Sequence, residues 1–401
     1  MVHIINKKEI NIIMITYFFP PSYAGGTIQA LELAKGLRKY HINSIFIGAN
    51  IYNAKPYEIY EGFEVFRIKS TPNSRISYLN YALQICWILF RERTKFQLVL
   101  MHSRKPFWFI IVFFSKILRK PILTTLTLIG NDDPISLLQK SFLWRVEART
   151  MKYVDKIICK SSAIKKRCLK AGIPDYKLHK IPNGTNTKVF FPVHTHWSLM
   201  LRKSLCLSED QFIVVFIGSV SPRKGCDILF DAWDEVQRNN PKSQLLVIGP
   251  YETILNDYNN LEWAEKLQSL VNNEMENRIL FLGHVPHSKV ALYLQAADCF
   301  VLPSKSEGLP NALLEAMATG LPVITSNIPG VTTDIVQNMH DGIILKSNNF
   351  NYLALEIERV IRDRELRYKL SQNALEKISR YYSIDIIAKK HADLYYTFIK
   401  K

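Results

Sequence analysis

Residues 300–326 read FVLPSKSEGLPNALLEAMATGLPVITS. Residues 300–302 are apolar without alternation, as in a strand covered on both faces. A polar loop follows to Leu309. Pro310 opens a predicted helix, where its missing N–H costs nothing. Gly320, with Pro322 beyond it, closes that helix. The apolar run VITS begins the next strand. Strand, loop, helix and strand in this order form the repeating unit of a parallel sheet.

The pattern extends in both directions. QFIVVFIGS, SQLLVIG, RILFLGH, CFVLPS and LPVITS are strand candidates from Gln211 onward, with DILFDAWDEV among the helices between them. INIIMITYF, NSIFIGA, FEVFRI, QLVLMH, PILTTLT and KIICKS are strand candidates before Ile181, and TIQALELAKGLRKY is a helix with Ala30, Leu33, Ala34 and Leu37 facing inward. The expected fold class is α/β, with two Rossmann-like doubly wound parallel-sheet domains facing across a cleft. Ligands of such sheets lie at the strand C-termini. IPNGTNTKVFFPVHTHW, residues 181–197, is rich in turn formers and separates the halves. The expected domains are 1–190 and 191–382, with 383–401 a final helical run.

The chain has 401 residues and a formal net charge of +17. Residues 1–190 hold 30 Lys and Arg against 11 Asp and Glu, whereas residues 191–401 hold 22 against 24. The positive field therefore belongs to the first half and favours anionic partners. Six scattered cysteines without a CxxC suit a reduced cytoplasmic protein. The run PFWFIIVFF is far short of a membrane span. INIIMITYFF behind Lys7 and Lys8, with Ser22-Tyr23-Ala24 beyond, imitates a signal peptide, but it passes directly into a Gly-Gly turn and a helix as a first strand would.

Three constellations carry chemistry. In the first, the helix start after Pro310 presents N–H groups and a partial positive charge suited to phosphate. Glu315 lies about 7–8 Å along the axis, where a carboxylate can accept from both hydroxyls of a ribose. Glu307, on the loop before the helix, would reach the group beyond the phosphates. Spacing alone fits equally a solvated glutamate followed by a helix-face one. In the second, FIGSVSPRKGCDILFDAW puts Arg223 and Lys224 at a strand end, where cations neutralise a departing diphosphate; two solvated turn cations would have the same sequence. In the third, Gly25-Gly26 before a helix allows close backbone approach to a ligand, and equally marks a plain tight turn.

Together these segments resemble the family 4 retaining glycosyltransferases of the GT-B fold, the glycosyl transferases group 1. Glu307 to Glu315, EGLPNALLE, is similar to the family's E-x7-E signature. Gly25-Gly26, Ile181-Pro182-Asn183-Gly184 through Phe191-Pro192, Lys224-Gly225, and Ala297-Asp298 with Pro303-Ser304 match its other segments in order. The resemblance implies a nucleotide-sugar donor, transfer with retention, and no cofactor or essential metal. It implies Glu315 at the ribose, Lys224 at the diphosphate and Glu307 at the donor sugar. Backbone N–H groups of Gly308, Leu309, Pro310's successor Asn311 and Gly26 would complete the cradle, with His284 and Val285 near the base. The final helix would cross back to the first domain.

Two positions depart from the family pattern. Ser219 stands where an arginine is common, and Arg223 is the candidate substitute. Thr127 stands where a histidine is common on the acceptor side, beside Asn131 and Asp132. His102, at the end of QLVLMH, is either its replacement or a buried structural histidine. No two aspartates are two positions apart, so the DxD metal motif of other glycosyltransferases is missing. His194 and His196 lack a further ligand nearby in sequence and read as solvated.

The basic half interleaves cations with aromatic and apolar residues in WILFRERTKFQ, SRKPFWFIIVFFSKILRKP and AIKKRCLKAG. Such faces suit an anionic bilayer, although the same apolar residues could pack on the first sheet. The expected acceptor is a glycan or lipid-linked saccharide in cell-surface polysaccharide biosynthesis, and the expected location is cytoplasmic, peripheral on the inner face of the membrane. A non-hydrolysing sugar-nucleotide epimerase would carry a dedicated set of cleft acids and histidines, which the sequence does not display. A nucleic-acid-binding protein would carry a recognisable binding module, and none is present. An inactive scaffold is the reading that Ser219 and Thr127 would favour.

Overall fold

The computed structural model describes residues 9–20, 25–51, 53–72, 74–102, 105–251, 261–273 and 278–399. Ser22-Tyr23-Ala24 lies outside them. The chain forms two compact units, one of Met1–Gly184 with Ile384–Lys401 and the other of Thr185–Ser383.

The first unit contains β1 (Ile10–Thr16), β2 (Ile42–Asn50), β3 (Tyr57–Tyr60), β4 (Phe63–Lys69), β5 (Leu98–His102), β6 (Ile122–Leu126), β7 (Lys156–Cys159) and β8 (Leu178–Lys180). Their order is β3-β4-β2-β1-β5-β6-β7-β8. All neighbours are parallel except β3 and β4. Both faces of this sheet are covered. Ile13, Ile15, Ile45 and Val99 belong to one buried cluster, and Ile12, Met14, Phe46 and Leu100 to another. This two-sided burial accounts for the unbroken apolar runs.

The helix Ile384–Ile399 closes one of those faces. Gly36 lies so near it that a Cβ would come within 2.8 Å of the Ala388 methyl. Tyr396 Oη donates to the Tyr40 carbonyl, and Lys39 pairs with Asp385. A Cβ on Gly184 would lie 2.9 Å from the Ile384 Cα, so the IPNG segment needs its glycine to let this helix pass.

The second unit contains β9 (Phe212–Ile217), β10 (Ser243–Ile248), β11 (Ile279–Phe281), β12 (Cys299–Leu302), β13 (Val323–Thr325) and β14 (Ile343–Ile344). Their order is β11-β10-β9-β12-β13-β14, all parallel. Counted along the chain this is 3-2-1-4-5-6, the doubly wound Rossmann order. The order reverses between β9 and β12, which is where such sheets open a crevice at their strand C-termini. In the first unit the same reversal lies between β1 and β5. No helix among the described residues is long and apolar enough to cross a membrane.

Candidate functional site

The C-terminal ends of β9 and β12 bring the first two constellations together. After β9 the chain makes a short 3-10 turn, Pro222–Lys224, and enters the helix Cys226–Asn239 through Gly225. Gly225 has φ +73°, and a Cβ there would lie 2.0 Å from the Pro303 carbonyl oxygen. The lysine loop therefore presses directly on the backbone that leads out of β12. Lys224 Nζ donates to Glu307 Oε1 at 2.5 Å, and the Ser304 hydroxyl donates to the same oxygen at 2.7 Å. Glu307 is 5% exposed. A buried carboxylate is tolerated there because it is both paired and hydrogen-bonded.

The helix Asn311–Ala318 follows, with Pro310 in the cap position and no side-chain hydrogen bond made by the cap. Gly320, at φ +76°, ends it, and Leu321 N–H returns to the Ala316 carbonyl. Leu313, Leu314, Glu315, Ala316, Met317 and Ala318 are all buried, so the core fixes this helix on nearly every side. The backbone at Glu315 is held rigidly as a result. Its Oε1 lies 2.9 Å from Nε2 of His287, the first residue of the helix His287–Ala296. His284 is exposed and Val285 half-buried in the loop between β11 and that helix.

Several expected site residues also make structural contacts. Arg223 was the candidate second cation, but its guanidinium donates to the Ser306 carbonyl at 3.0 Å. Its own carbonyl accepts from Lys305 N–H, so it ties the two loops together at the exposed rim. Asp298 anchors the approach to β12, accepting from Arg202 Nη2 and from Ile213 N–H, both at 2.7 Å. Ser219 is half-buried at the end of β9, and its carbonyl faces the Ser221 hydroxyl at 3.5 Å.

The residues expected on the acceptor side make contacts of their own. Asp132 is buried, and its carboxylate accepts from Thr127 N–H, Thr127 Oγ1 and Leu128 N–H at 2.8, 2.8 and 2.9 Å. Thr127 and Asp132 thus close the loop after β6 on themselves, and Gly130 and Asn131 are exposed there. His102 lies at the end of β5, in register with Thr16 and Thr125. It is 5% exposed and its Nε2 has no hydrogen-bond partner among the described residues. Burial, and then the nearby Lys160, push its imidazole down to about 3, so it is neutral at ordinary pH. Gly25 and Gly26 form the first turn of the helix Gly25–Leu37 instead of a preceding loop, and among the described residues nothing lies within 4 Å of a Cβ built on Gly26.

Sequence reasoning missed Ser304 and His287 as partners of the two glutamates. Ser304 had a signal, three positions before Glu307 in the segment PS. His287 had only its place just after Pro286, at a helix start.

Comparison with known proteins follows the same division of the chain. The model for glycosyl transferases group 1 matches residues 200–377, and that for glycosyltransferase family 4 matches residues 23–189. An uncharacterized glycosyltransferase of Methanocaldococcus jannaschii is 26% identical over 96% of this chain and 97% of its own. The UDP-Gal:alpha-D-GlcNAc-diphosphoundecaprenol alpha-1,3-galactosyltransferase of Escherichia coli is 31% identical over 62% of each chain. The capsular polysaccharide biosynthesis glycosyltransferase CapM of Staphylococcus aureus is 29% identical over 49% of this chain and 48% of its own. This chain thus spans half to three fifths of the latter two. Among solved structures, sucrose-phosphate synthase from Thermosynechococcus elongatus superposes with TM-score 0.76 at 22% identity, covering 98% of this chain and 99% of that one. Anabaena HepE, solved with UDP-glucose, gives 0.76 at 18% identity over 97% and 100%. These two likenesses show a shared GT-B fold.

Proposed function

Because the chain belongs to the glycosyl transferases group 1, we propose that it moves a sugar from a nucleotide-sugar donor to a glycan or lipid-linked saccharide with retention of anomeric configuration. It is a glycosyltransferase related to enzymes of capsular and polysaccharide biosynthesis. The observation that carries the proposal is the pairing of Lys224 with Glu307 at the C-terminal ends of β9 and β12, with the helix that carries Glu315 beginning at Asn311 just beyond.

In this reading the diphosphate rests on the start of the helix Asn311–Ala318 and on Lys224, while Glu315 accepts from the ribose hydroxyls. Glu307 accepts from the sugar. The bond between the anomeric carbon and the β-phosphate oxygen breaks, and a bond to the acceptor oxygen forms on the same face. The acceptor proton passes to the released diphosphate. Lys224 and the helix N–H groups stabilise the charge that develops on that leaving group, a role that needs no metal. That UDP-glucose is bound by a structural relative supports a nucleotide-sugar donor. Proton NMR of donor turnover tests retention: an α-linked donor should release or transfer an α-configured sugar, and a β-configured first product would refute it.

A membrane-bound acceptor is favoured by the helix Arg75–Arg91. Ile76, Leu79, Leu83, Trp87 and Phe90 recur on one face of it and all are exposed, Ile76 at 83% and Trp87 at 61%. Arg75, Arg91, Arg93 and Lys95 flank the stripe, with Glu92 the one acid between residues 75 and 95. Apolar burial in the headgroup region and about 1 kcal/mol per cation at an anionic surface act together here. The double variant Leu83→Glu/Trp87→Glu should cosediment with phosphatidylglycerol vesicles at least about tenfold less than wild type. Equal sedimentation would remove the membrane from the account.

A further inference from the structure

We infer that His287 is a positioning residue for the donor: it holds the Glu315 carboxylate so that the remaining oxygen faces the ribose. This rests on the assignment of Glu315 to the ribose. An ionised carboxylate only accepts, so at 2.9 Å the proton between the two groups lies on His287 Nε2, which donates to Glu315 Oε1. Glu315 sits on a helix fixed by core packing, yet its own side chain has torsions that the helix does not set. The imidazole supplies that constraint.

The imidazole is itself constrained. His287 begins the helix His287–Ala296, directly after Pro286, whose φ is fixed by its ring. The ring of Phe190, only 2% exposed, packs against it with centroids 5.5 Å apart. Phe190 in turn is held by its N–H to the Asn186 carbonyl at 2.9 Å. A turn, a helix start and a core helix therefore converge on one carboxylate oxygen. A group recognised through both ribose hydroxyls needs the carboxylate in one rotamer, because a misplaced acceptor forfeits most of a charge-assisted hydrogen bond. His287 restrains that rotamer without touching the nucleotide.

Substitution by glutamine separates positioning from packing. Glutamine Nε2 can occupy the place of imidazole Nε2 and donate to Glu315, but it cannot restore the ring contact with Phe190. Calorimetric titration with UDP, GDP, ADP and dTDP in turn, on the full chain, is the test. For whichever diphosphate binds wild type, His287→Ala should weaken binding about tenfold or more, and His287→Gln should return it to within about threefold of wild type. Wild-type affinity in His287→Ala, or equal loss in His287→Gln and His287→Ala, would overturn the inference. Glu315→Ala is the arm that locates a failure. If it abolishes binding while His287→Ala does not, the inference alone is wrong. If it binds as wild type does, or if no diphosphate binds the wild type, the ribose assignment falls and the inference with it.

Discussion

Lys224→Ala is expected to lower transfer by about two to three orders of magnitude, the loss that follows removal of one preorganised donor from a developing anion. Its ammonium is 2.5 Å from Glu307 Oε1, and the side chains are 16% and 7% exposed. Removing it does two things. The departing diphosphate loses its cation, and Glu307 keeps only the Ser304 hydroxyl on that oxygen. Breaking a buried pair from one side costs about 3–5 kcal/mol, so stability should fall as well. The two effects are separable by measuring kcat/KM and thermal melting on Lys224→Ala and Lys224→Arg. Lys224→Arg keeps the charge and should recover most of the stability, but its planar fork replaces a compact ammonium and should not restore full turnover. Transfer by Lys224→Ala within about fivefold of wild type would exclude Lys224 from the reaction.

Gly225→Ala should strongly destabilise the second unit. The new Cβ would lie 2.0 Å from the Pro303 oxygen and 2.6 Å from its carbonyl carbon, both backbone atoms, at φ +73°. Neither partner is a flexible side chain that can turn aside. A strained backbone position of this kind costs about 1–3 kcal/mol, and forcing two chain segments apart adds to it. At roughly 2–4 °C per kcal/mol for a unit of this size, the backbone strain alone should lower melting of the second unit by about 2–12 °C. Diphosphate affinity should fall too, because the displaced Pro303 leads to Glu307. Gly26→Ala is the control: with nothing within 4 Å of its Cβ it should melt as wild type does. Unchanged melting of Gly225→Ala would contradict the close loop contact on which the site is built.

Most of the fold was legible because both sheets are buried on two faces, and unbroken apolar runs are the direct consequence. β3 was not. Its sequence, YEIY, is half polar, and it pairs only as an antiparallel edge through a turn with Glu61 at φ +48° and Gly62 at φ +78°. The position of the two glutamates was legible because a helix boundary and its spacing are local. Partnership was less so. Arg223 and Lys224 are adjacent in sequence, yet one clamps a carbonyl and the other meets Glu307, a difference set by where the β12 loop lies. Thr127 and Asp132 are joined to each other across four intervening loop residues, a closure that no helix or strand pattern announces. His287 and Phe190 reach Glu315 only through the packing of three separate elements, and no local pattern announces that. The turn-rich segment 181–197 reads as the divide, with the boundary expected near residue 190; the chain divides between Gly184 and Thr185 and again between Ser383 and Ile384.

The central claim is that one edge of the second sheet holds a nucleotide sugar through Glu315. Thermal stabilisation by UDP-, GDP-, ADP- and dTDP-sugars, measured with EDTA present on wild type and Glu315→Ala, tests it most directly. The account predicts stabilisation of the wild type by one nucleotide class and its loss in Glu315→Ala. Stabilisation of neither protein by any class, or of both equally, would contradict it.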